Sequence, residues 1–357
     1  MHYMRQSYKK FRFCACVGHN CRFFCNFANY CVYMTTLKTI NLTHAAELEL
    51  LNERIRSVLQ TDNSLMSNIV MSLLRTRGKQ LRPLLLMMCA GLFGQIDDKV
   101  LAAAASVELL HNASLIHDDV VDNAMTRRSR PTVNAVWDNH IAVLAGDYFT
   151  SSAMQEAIST GDIRIVESLC NLGRRLSLGE IDQIYNAREH TLNVDGYFRI
   201  IDYKTASLFV SSAEMGCFAA GAPDEARRTL SEYALLFGRC FQIRDDVFDY
   251  YSAEQVGKPT GNDLREGKVT LPLLHALENE SLPEHTHVRA LLAKDSLSDG
   301  EIGFLQAFAR DNGGIDYAFD VMHELREKAV AGLKTLPASP IRDELAELFD
   351  FIIERQF

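Results

Sequence analysis

Two acidic clusters with the same spacing lie in distant parts of the chain. Asp118–Asp122 and Asp245–Asp249 both read Asp-Asp-x-x-Asp, and 127 residues separate their first positions. On a helix, residues four apart share one face, so the first and last carboxylates of each cluster would project together. Like charges in that arrangement are destabilising unless a cation lies between them. Carboxylate oxygens shared with phosphate oxygens are typical of Mg²⁺ sites, and the clusters therefore predict bound magnesium.

Basic residues accompany both clusters. The segment Gly78–Pro83 carries two cations three residues apart, and a pair of arginines, Arg127–Arg128, follows the first cluster by about one turn. A further basic segment, Gly257–Lys268, follows the second cluster, and its three glycines and one proline predict an ordered loop. A diphosphate carries several negative charges, and lysine and arginine beside a carboxylate–metal site are what its binding requires.

The elements that position these residues are predicted to be helices. From about Thr43 onward, apolar residues recur at three- and four-residue spacing, and alternating strand-like segments are absent. The eight prolines fall where helices would begin or break. Ser298 with Glu301 predicts a capping box, and Gly313–Gly314 ends the helix that follows. The longest predicted helices span 98–122, 132–160, 163–186, 195–221 and 224–252.

The composition of the chain limits the classes of protein to which it could belong. The chain has 357 residues, 47% of them hydrophobic, which is enough for a large buried core. Its formal net charge of −9 gives no indication of a nucleic-acid partner. No apolar run reaches the roughly 20 residues of a membrane-spanning helix, so we expect no transmembrane segment and a cytoplasmic location. With no linker after residue 43, we predict one helical domain over residues 34–357.

The first 33 residues differ from the rest. They hold five of the nine cysteines and five of the 37 basic residues but no acidic one, which leaves 32 basic against 46 acidic residues beyond them. Three interpretations are open: a targeting peptide, an upstream extension outside the working protein with its start at Met34, or a metal knuckle. The extension is the interpretation we favour. The knuckle would be built on Cys14, Cys16, His19, Cys21 and Cys25. The four later cysteines are expected to be buried free thiols: Cys89, Cys170, Cys217 and Cys240.

Taken together, the motifs resemble those of trans-isoprenyl diphosphate synthases. The resemblance runs from about residue 43 to the C-terminus, in the right order and spacing, and leaves residues 1–33 outside. Five segments carry it: Gly78–Pro83, Leu109–Asp122 with Arg127-Arg128, Lys204-Thr205, Phe241–Asp246, and the loop Gly257–Lys268. The resemblance implies an all-α fold, a single large helical bundle of the isoprenoid synthase type with a central apolar cavity.

The resemblance also implies a role for each motif residue. The catalytic set would be Asp118, Asp122, Asp245, Lys204, Thr205 and Gln242, with the last two directing oxygen dipoles at a developing allylic cation. Three Mg²⁺ ions would be held by Asp118, Asp122 and Asp245, with Asp119, Asp246 and Asp249 in supporting positions. The allylic diphosphate would be held by Arg127, Lys204, Lys258 and Lys268. Isopentenyl diphosphate would be held by Lys79, Arg82, His111 and Arg128. Arg244, just before the second cluster, is given no function.

The implied reaction is head-to-tail prenyl transfer. Metal ions and basic side chains stabilise the leaving diphosphate of an allylic substrate, so its C–O bond breaks and an allylic cation forms. The double bond of isopentenyl diphosphate attacks that cation, and loss of a proton, with the departed diphosphate as base, restores an allylic product. Because water would trap the cation, a deep apolar pocket is expected.

Product length is expected to depend on the residues one turn before Asp118. Ala113 and Ser114 are small, so they would leave open the apolar tunnel that the family uses, where an aromatic side chain would block it. Leu110 and Val107, on the next rung, are moderate in size. These residues favour a medium- to long-chain all-trans product of C30–C50, suited to the side chain of a quinone. A geranylgeranyl- or farnesyl-length product is the alternative.

Other classes of protein share parts of this pattern. A class I terpene cyclase has the fold and the first cluster, but its second metal site mixes Asn, Ser or Thr, and Glu. A head-to-head condensing enzyme has two acidic motifs but no need of Gly78–Pro83. A non-catalytic subunit of a heteromeric synthase usually lacks one cluster, and both are intact here. The resemblance further implies a homodimer formed through long apolar helices.

Overall fold

The computed structural model describes residues 37, 39–75, 78–190, 192–256 and 260–355. The predicted N-terminal extension with its five cysteines, and the predicted diphosphate ligand Lys258, lie outside the described residues. All other predicted site residues are described.

A succession of helices makes up the described chain, which confirms the predicted all-α class. The helices are α1 (Ala45–Val58), α2 (Ser64–Leu74), α3 (Leu81–Gly91), α4 (Asp98–Val121), α5 (Val133–Val136), α6 (Asn139–Ser159), α7 (Ile163–Arg188), α8 (Val194–Ile201), α9 (Ser207–Ala219), α10 (Asp224–Phe248), α11 (Ala253–Val256), α12 (Asn262–Arg265), α13 (Leu271–Leu277), α14 (His285–Leu292), α15 (Asp299–Asp311), α16 (Gly314–Leu333) and α17 (Pro340–Glu354). A π-helical turn, Asp202–Ala206, joins α8 to α9. Two short strands, β1 (Thr126–Arg127) and β2 (Arg130–Pro131), form an antiparallel hairpin after α4.

Three of the five predicted long helices match α4, α7 and α10 to within a few residues. The predicted helix over 132–160 is wrong as one element, because Asp138 leaves the helical conformation and caps α6 by accepting from the Ile141 N–H at 2.9 Å. The helix over 195–221 contains the π turn. The hairpin was not predicted, since its strands are only two residues long.

The predicted capping box is confirmed at the start of α15. The Ser298 hydroxyl accepts from the Glu301 N–H, and the Glu301 side chain accepts from the Ser298 N–H at 2.8 Å. Gly313 adopts a left-handed conformation, with φ of 78°, between α15 and α16. Glycine tolerates that conformation at no steric cost, so the break falls where the sequence predicts it.

Helix α4 is the central element of one half of the core. Nearly every residue from Val100 to Leu110 is buried, which is the pattern of a helix surrounded by others. It packs along α6 and also contacts α3 and α9. Among the described residues it alone is long and apolar enough to cross a membrane by length and composition, yet 67% of its most apolar window is buried inside the fold.

Helix α10 organises the other half of the core, against α9, α16 and α17. The buried rings of Tyr233, Phe237 and Phe349 meet with centroids 5.6 to 5.9 Å apart. The Tyr233 hydroxyl donates to the Leu345 carbonyl at 2.7 Å, which ties α10 to α17. The helix that carries the second acidic cluster is thereby fixed to the C-terminal helix.

Three of the four later cysteines are buried free thiols, as predicted: Cys89, Cys217 and Cys240. The expectation is wrong for Cys170, which is exposed. Cys170 lies on α7 beside an open groove, and its apolar sequence context reflects the lining of that groove, not a closed core.

Replacing Tyr233 by Phe tests the tie between α10 and α17. We expect the free energy of unfolding to fall by about 1 kcal/mol, the usual net value of one buried hydrogen bond. Chemical denaturation measures it, with Ser57→Ala, which removes an exposed hydroxyl on α1, as the control expected to show no change. Equal effects of the two variants would contradict the assignment.

Candidate active site

The two acidic clusters occupy the last turns and C-caps of α4 and α10. The C-terminal end of a helix carries a partial negative charge, so carboxylates there are unfavourable without cations. Burial raises the pKa of Asp118 to about 6, opposed by Lys204 and reinforced by Glu180 and Asp122. The electrostatics of this end of the bundle therefore favour an added cation.

Within the first cluster, Asp119 is set apart from its neighbours. It is buried, and its Oδ1 accepts from Arg127 Nε at 2.7 Å. Asp118 and Asp122 lie one turn apart and instead interact electrostatically with Lys204 and Lys268, respectively. Asp119 thus holds the hairpin in place.

The second cluster divides its carboxylates among different neighbours. Asp249 accepts from the backbone N–H groups of residues 261–263 at 2.8, 3.2 and 3.0 Å. These residues lead into α12, so Asp249 fixes the loop that carries Lys268. Asp245 accepts from Arg355 Nη2 at 2.5 Å. Although Asp245 and Asp249 share a helix face, their carboxylates have separate partners.

A chain of hydrogen bonds joins Thr205 to the second cluster. The Thr205 hydroxyl donates to Gln242 Oε1 at 2.7 Å, and Gln242 Nε2 donates to Asp246 Oδ1 at 2.7 Å. The Tyr197 hydroxyl donates to Asp246 Oδ2 at 2.6 Å. Thr205 and Gln242 both line a cavity. Because the Gln242 oxygen already accepts a hydrogen bond from Thr205, the Thr205 hydroxyl oxygen is better placed than the Gln242 oxygen to face that cavity.

The π turn Asp202–Ala206 carries both Lys204 and Thr205. π-Helical turns are rare in proteins, and those that occur are often found at functional sites. Two neighbouring helices approach this turn at glycines. A Cβ on Gly179 would lie 2.9 Å from the Lys204 backbone nitrogen, and a Cβ on Gly238 would lie 2.5 Å from the Ala206 Cα. The turn is therefore held by direct backbone contact on both sides.

An ion pair fixes the start of the same turn. Arg239 Nε and Nη2 donate to the two Asp202 oxygens at 2.6 and 2.7 Å. This bidentate geometry is the strongest common form of an ion pair. The Arg239 guanidinium also lies 5.4 Å from the centroid of the Phe198 ring.

Lys204 and Lys268 meet at the side chain of Gln183. Lys204 Nζ lies 2.5 Å from Glu180 Oε2. With the Gln183 amide turned so that its oxygen faces the lysines, that oxygen accepts from Lys204 Nζ at 3.1 Å and from Lys268 Nζ at 3.2 Å. Two of the predicted allylic diphosphate ligands are thus brought together beside the first cluster.

A second pocket, of about 370 Å³, lies beside Asp245 and Phe241. Five charged side chains and one imidazole line it: Lys79, Arg82, Glu108, His111, Arg128 and Arg355. We call it the cationic pocket, because four permanent cations face one carboxylate in its lining. All four predicted isopentenyl diphosphate ligands are in this lining.

Several nitrogen atoms of the cationic pocket have no hydrogen-bond partner within the described chain. They are Arg82 Nε, His111 Nδ1 and Arg355 Nε, all buried. Burial and the charges of Arg82 and Arg128 lower the pKa of His111 well below its usual value, so this imidazole is neutral at pH 7. Burial lowers the pKa of Arg82 to about 10, so it stays charged. Excess positive charge with unused nitrogen donors is suited to a bound anion.

The hairpin β1–β2 directs its two arginines to different places. Arg127 contacts Asp119, whereas Arg128 lines the cationic pocket. Arg128 and Ser129 form the hairpin turn with φ of 51° and 60°, and a two-residue hairpin turn of type I′ requires positive φ at both positions. Non-glycine residues adopt that conformation at some cost, and such strain is concentrated at functional sites. The two arginines therefore lie at different sites, Arg127 beside the first cluster and Arg128 in the cationic pocket.

An apolar groove lies between α4, α6 and α7. Leu110 lines it together with Met154 of α6 and Leu169 of α7, and its volume is about 530 Å³. Ser114, one turn above Leu110, is partly buried, while Ala113 is fully buried in the core. Both predicted length-determining residues therefore lie between the first cluster and the groove.

Six residues that line or support the site were not predicted from the sequence: Glu108, Glu180, Gln183, Tyr197, Asp263 and Arg355. Asp263 lies inside the loop that was predicted, and burial, with Asp249 next, raises its pKa to about 7. The acidic and polar residues on α7 could have been noticed by their spacing, one turn apart on a long helix. Arg355 gave no signal, since it lies far along the chain from every motif.

No group of three or more His, Cys, Asp or Glu side chains in the described part of the chain is arranged to hold a metal ion by itself. Each cluster contributes acidic oxygens at a helix end, which is the donor set that hard divalent cations prefer. The fit is that of a site completed by oxygen atoms from a bound diphosphate.

Comparison with known proteins places the chain in a family. The polyprenyl synthetase family profile matches residues 63–307. Octaprenyl diphosphate synthase of Escherichia coli is 31% identical over 320 residues, 89% of this chain and 99% of that protein. The crystal structure of a polyprenyl synthase from Caulobacter crescentus, complexed with calcium and isoprenyl diphosphate, has a TM-score of 0.84 and 31% identity, covering 90% of this chain and 98% of that one. That of a geranylgeranyl pyrophosphate synthase from Bacteroides thetaiotaomicron has a TM-score of 0.78 and 33% identity, covering 90% and 100%.

The chain belongs to the polyprenyl synthetase family. It is a prenyltransferase with the all-α fold of that family, so the resemblance read from the motifs is confirmed. The alternatives of a class I terpene cyclase, a head-to-head condensing enzyme and a non-catalytic subunit are set aside by the same finding.

Replacing Gly238 by Ala tests whether contact with α10 positions the π turn. The added Cβ would displace Ala206, and we expect kcat to fall about a hundredfold, the cost of misplacing a catalytic group by roughly 1 Å. Steady-state prenyl transfer measures it. Gly303→Ala on α15, where an added Cβ meets nothing within 4 Å, is the matched control and should leave kcat unchanged. Normal kcat in Gly238→Ala would refute the positioning role.

Proposed function

We propose that this protein condenses an allylic diphosphate with successive isopentenyl diphosphates, head to tail, to a medium- or long-chain all-trans polyprenyl diphosphate. The observation that carries the proposal is the juxtaposition of two different charged sites. One combines the acidic helix ends with Lys204 and Lys268. The other is the cationic pocket, which meets it at Asp245.

Divalent metal is proposed at the acidic helix ends, with Mg²⁺ as the ion. Asp118, Asp122 and Asp245 would hold it, with Asp119, Asp246 and Asp249 positioning the surrounding segments. Three ions would serve one bound allylic diphosphate. When bound, they would neutralise the charge that builds up on the leaving diphosphate. Support comes from the acidic donor set and from the raised pKa of Asp118, which burial among like charges causes.

Protein side chains would do the remaining work on the allylic substrate. Lys204 and Lys268, joined at Gln183, would bind the allylic diphosphate, with Arg127 and Lys258 completing its cationic surroundings. The Thr205 hydroxyl, oriented by Gln242, would direct its oxygen dipole at the developing allylic cation.

The cationic pocket would bind the diphosphate of isopentenyl diphosphate. Lys79, Arg82 and Arg128 would supply charge, and neutral His111 a hydrogen bond. The buried nitrogens of Arg82 and His111 would find their acceptors on that diphosphate. Because the pocket abuts Asp245, the isopentenyl double bond would lie close to the allylic carbon.

The product is proposed to be C30–C50 in length, for example as the side chain of a quinone. The small residues Ala113 and Ser114, and the groove of about 530 Å³ beyond Leu110, support a long chain. A C20 product is the second candidate, since a geranylgeranyl pyrophosphate synthase is equally similar in sequence.

A homodimer in the cytoplasm is the proposed working state, with residues 34–357 as one domain. Exposed apolar side chains on α6 and α7 support an interface: Leu144, Met154, Ile158, Leu178, Ile181 and Tyr185. Such a concentration of large apolar residues on neighbouring helices is typical of a surface that another subunit covers.

The deciding experiment incubates the protein with farnesyl diphosphate, labelled isopentenyl diphosphate and Mg²⁺. We expect labelled products of increasing length up to C30–C50, resolved by chromatography after removal of the diphosphate. Products ending at C20 would support the second candidate. No incorporation of label would refute the function.

Replacing Asp118 or Asp245 by Ala tests the acidic helix ends. We expect kcat to fall by about a hundred- to a thousandfold, as for removal of one group that stabilises transition-state charge. Turnover with Mg²⁺ measures it, and Asp320→Ala on the exposed side of α16 is the control. Near-normal turnover in either variant would show that its carboxylate is not a metal ligand.

Replacing Ser114 or Ala113 by Phe tests the tunnel. A ring one turn before Asp118 would block the way to the groove, so we expect shorter products with the first condensation preserved. Because Ala113 is fully buried, its variant should also be less stable, by about 1–3 kcal/mol. Product analysis is compared with Ser57→Phe on the exposed side of α1. An unchanged length distribution in both variants would place the floor of the tunnel elsewhere.

A further inference from the structure

Arg244 is a buried cation outside every role assigned above. It lies one position before the second cluster and is 6% exposed. Its guanidinium lies between two aromatic rings, 4.3 Å from the centroid of Phe248 and 5.0 Å from that of Phe319. A charge at that depth is costly unless its hydrogen bonds are directed to something specific.

The hydrogen bonds of Arg244 go to the backbone of one residue. Its Nε and Nη2 donate to the Arg355 carbonyl at 3.2 and 2.7 Å. Arg355 is the C-cap of α17, where the last carbonyls lack partners within the helix. A positive charge is favourable at that end of a helix. Arg244 therefore fixes the place where the chain leaves α17.

The Arg355 side chain extends from that fixed point to the junction of the two charged sites. Its Nη2 donates to Asp245 at 2.5 Å and to the Phe241 carbonyl at 3.2 Å. Its guanidinium lies 4.5 Å from the centroid of the Phe241 ring and lines the cationic pocket. Its Nε is buried with no hydrogen-bond partner in the described chain.

Two arginines placed so close together repel each other, and burial, followed by the charge of Arg355, lowers the pKa of Arg244. Capping of α17 is by itself a weak reason for that arrangement, because an apolar side chain could fill the space between Phe248 and Phe319 without such repulsion. An anion in the cationic pocket gives a reason, since it is stabilised by a guanidinium held in one orientation.

We propose that Arg244 is a positioning residue, which holds the Arg355 carbonyl so that the Arg355 guanidinium is directed at isopentenyl diphosphate. The inference rests on the proposed function of the cationic pocket and extends it to the C-terminal end of α17. Arg244 acts only through Arg355 and does not touch substrate.

The test compares Arg244→Met, Arg244→Lys, Arg355→Met and the double Met variant. For Arg244→Met we expect KM for isopentenyl diphosphate to rise about tenfold, the factor associated with one hydrogen bond to a charged group. KM for the allylic diphosphate should stay unchanged. Arg244→Lys, with one donating nitrogen in place of two, should be intermediate. The double variant should be no worse than Arg355→Met, because the two residues act in series.

Arg326→Met is the matched control for loosening of α17. Arg326 holds the same helix through Asp350, with bonds of 2.7 and 3.0 Å, on another side of it. We expect this control to lower the melting temperature without raising either KM. A control that raises KM for isopentenyl diphosphate as much as Arg244→Met would overturn the proposal. So would additive effects in the double variant, or an equal rise of both KM values in Arg244→Met.

Calorimetric titration with isopentenyl diphosphate alone separates this inference from the proposed function. If the unaltered protein fails to condense the substrates, the proposed function fails. The dissociation constants of Arg244→Met and Arg326→Met for isopentenyl diphosphate still decide the positioning role, with weaker binding expected in the first alone. Equal binding by the two variants would refute it.

Discussion

The concentration of carboxylates at the ends of two buried helices is the constraint on which the rest of the structure depends. Helices α4 and α10 each end in an Asp-Asp-x-x-Asp cluster, and each cluster lies where the helix itself is already negative. Burial makes the charged form of Asp118 still less favourable. Such an end is stable only if the protein supplies cations nearby and a scaffold stiff enough to keep the charges apart.

The cations come from segments that are far from the clusters in the chain. Lys204 stands on a π turn that two glycine contacts and the Arg239–Asp202 pair hold in place. Lys268 comes from a loop whose backbone is bound by Asp249. The acidic clusters thus perform two tasks. Asp118 and Asp122 remain beside the lysines, whereas Asp249 fixes the segment that delivers Lys268.

A carboxylate of the second cluster also connects the two charged sites. Asp245 meets Arg355 at the boundary between the acidic helix ends and the cationic pocket. The like charges within each site repel one another, and the opposite charges of the two sites attract. Bonds between residues at the boundary are therefore needed to hold the cationic pocket and the acidic helix ends in place. The C-terminal helix α17, tied to α10 by Tyr233 and Arg244, supplies that boundary.

The sequence by itself determined the all-α class, the two clusters and most of their basic partners. It could do so because helical periodicity and the i, i+4 rule are local, and because the chemistry of a diphosphate requires recognisable residue types. The large helices α4, α7 and α10 followed from the same local pattern. The break at Asp138 and the two-residue strands did not, since each depends on one side-chain cap or one pair of backbone bonds.

Only the tertiary structure decided which carboxylate has which partner. The sequence placed Asp119 and Asp249 in supporting positions, but their partners, Arg127 and a loop backbone, became clear only in the structure. Arg355 joined the site because α17 returns beside α10, a contact between residues more than a hundred positions apart. Burial and long-range packing set these pairings, and neither is encoded in local spacing.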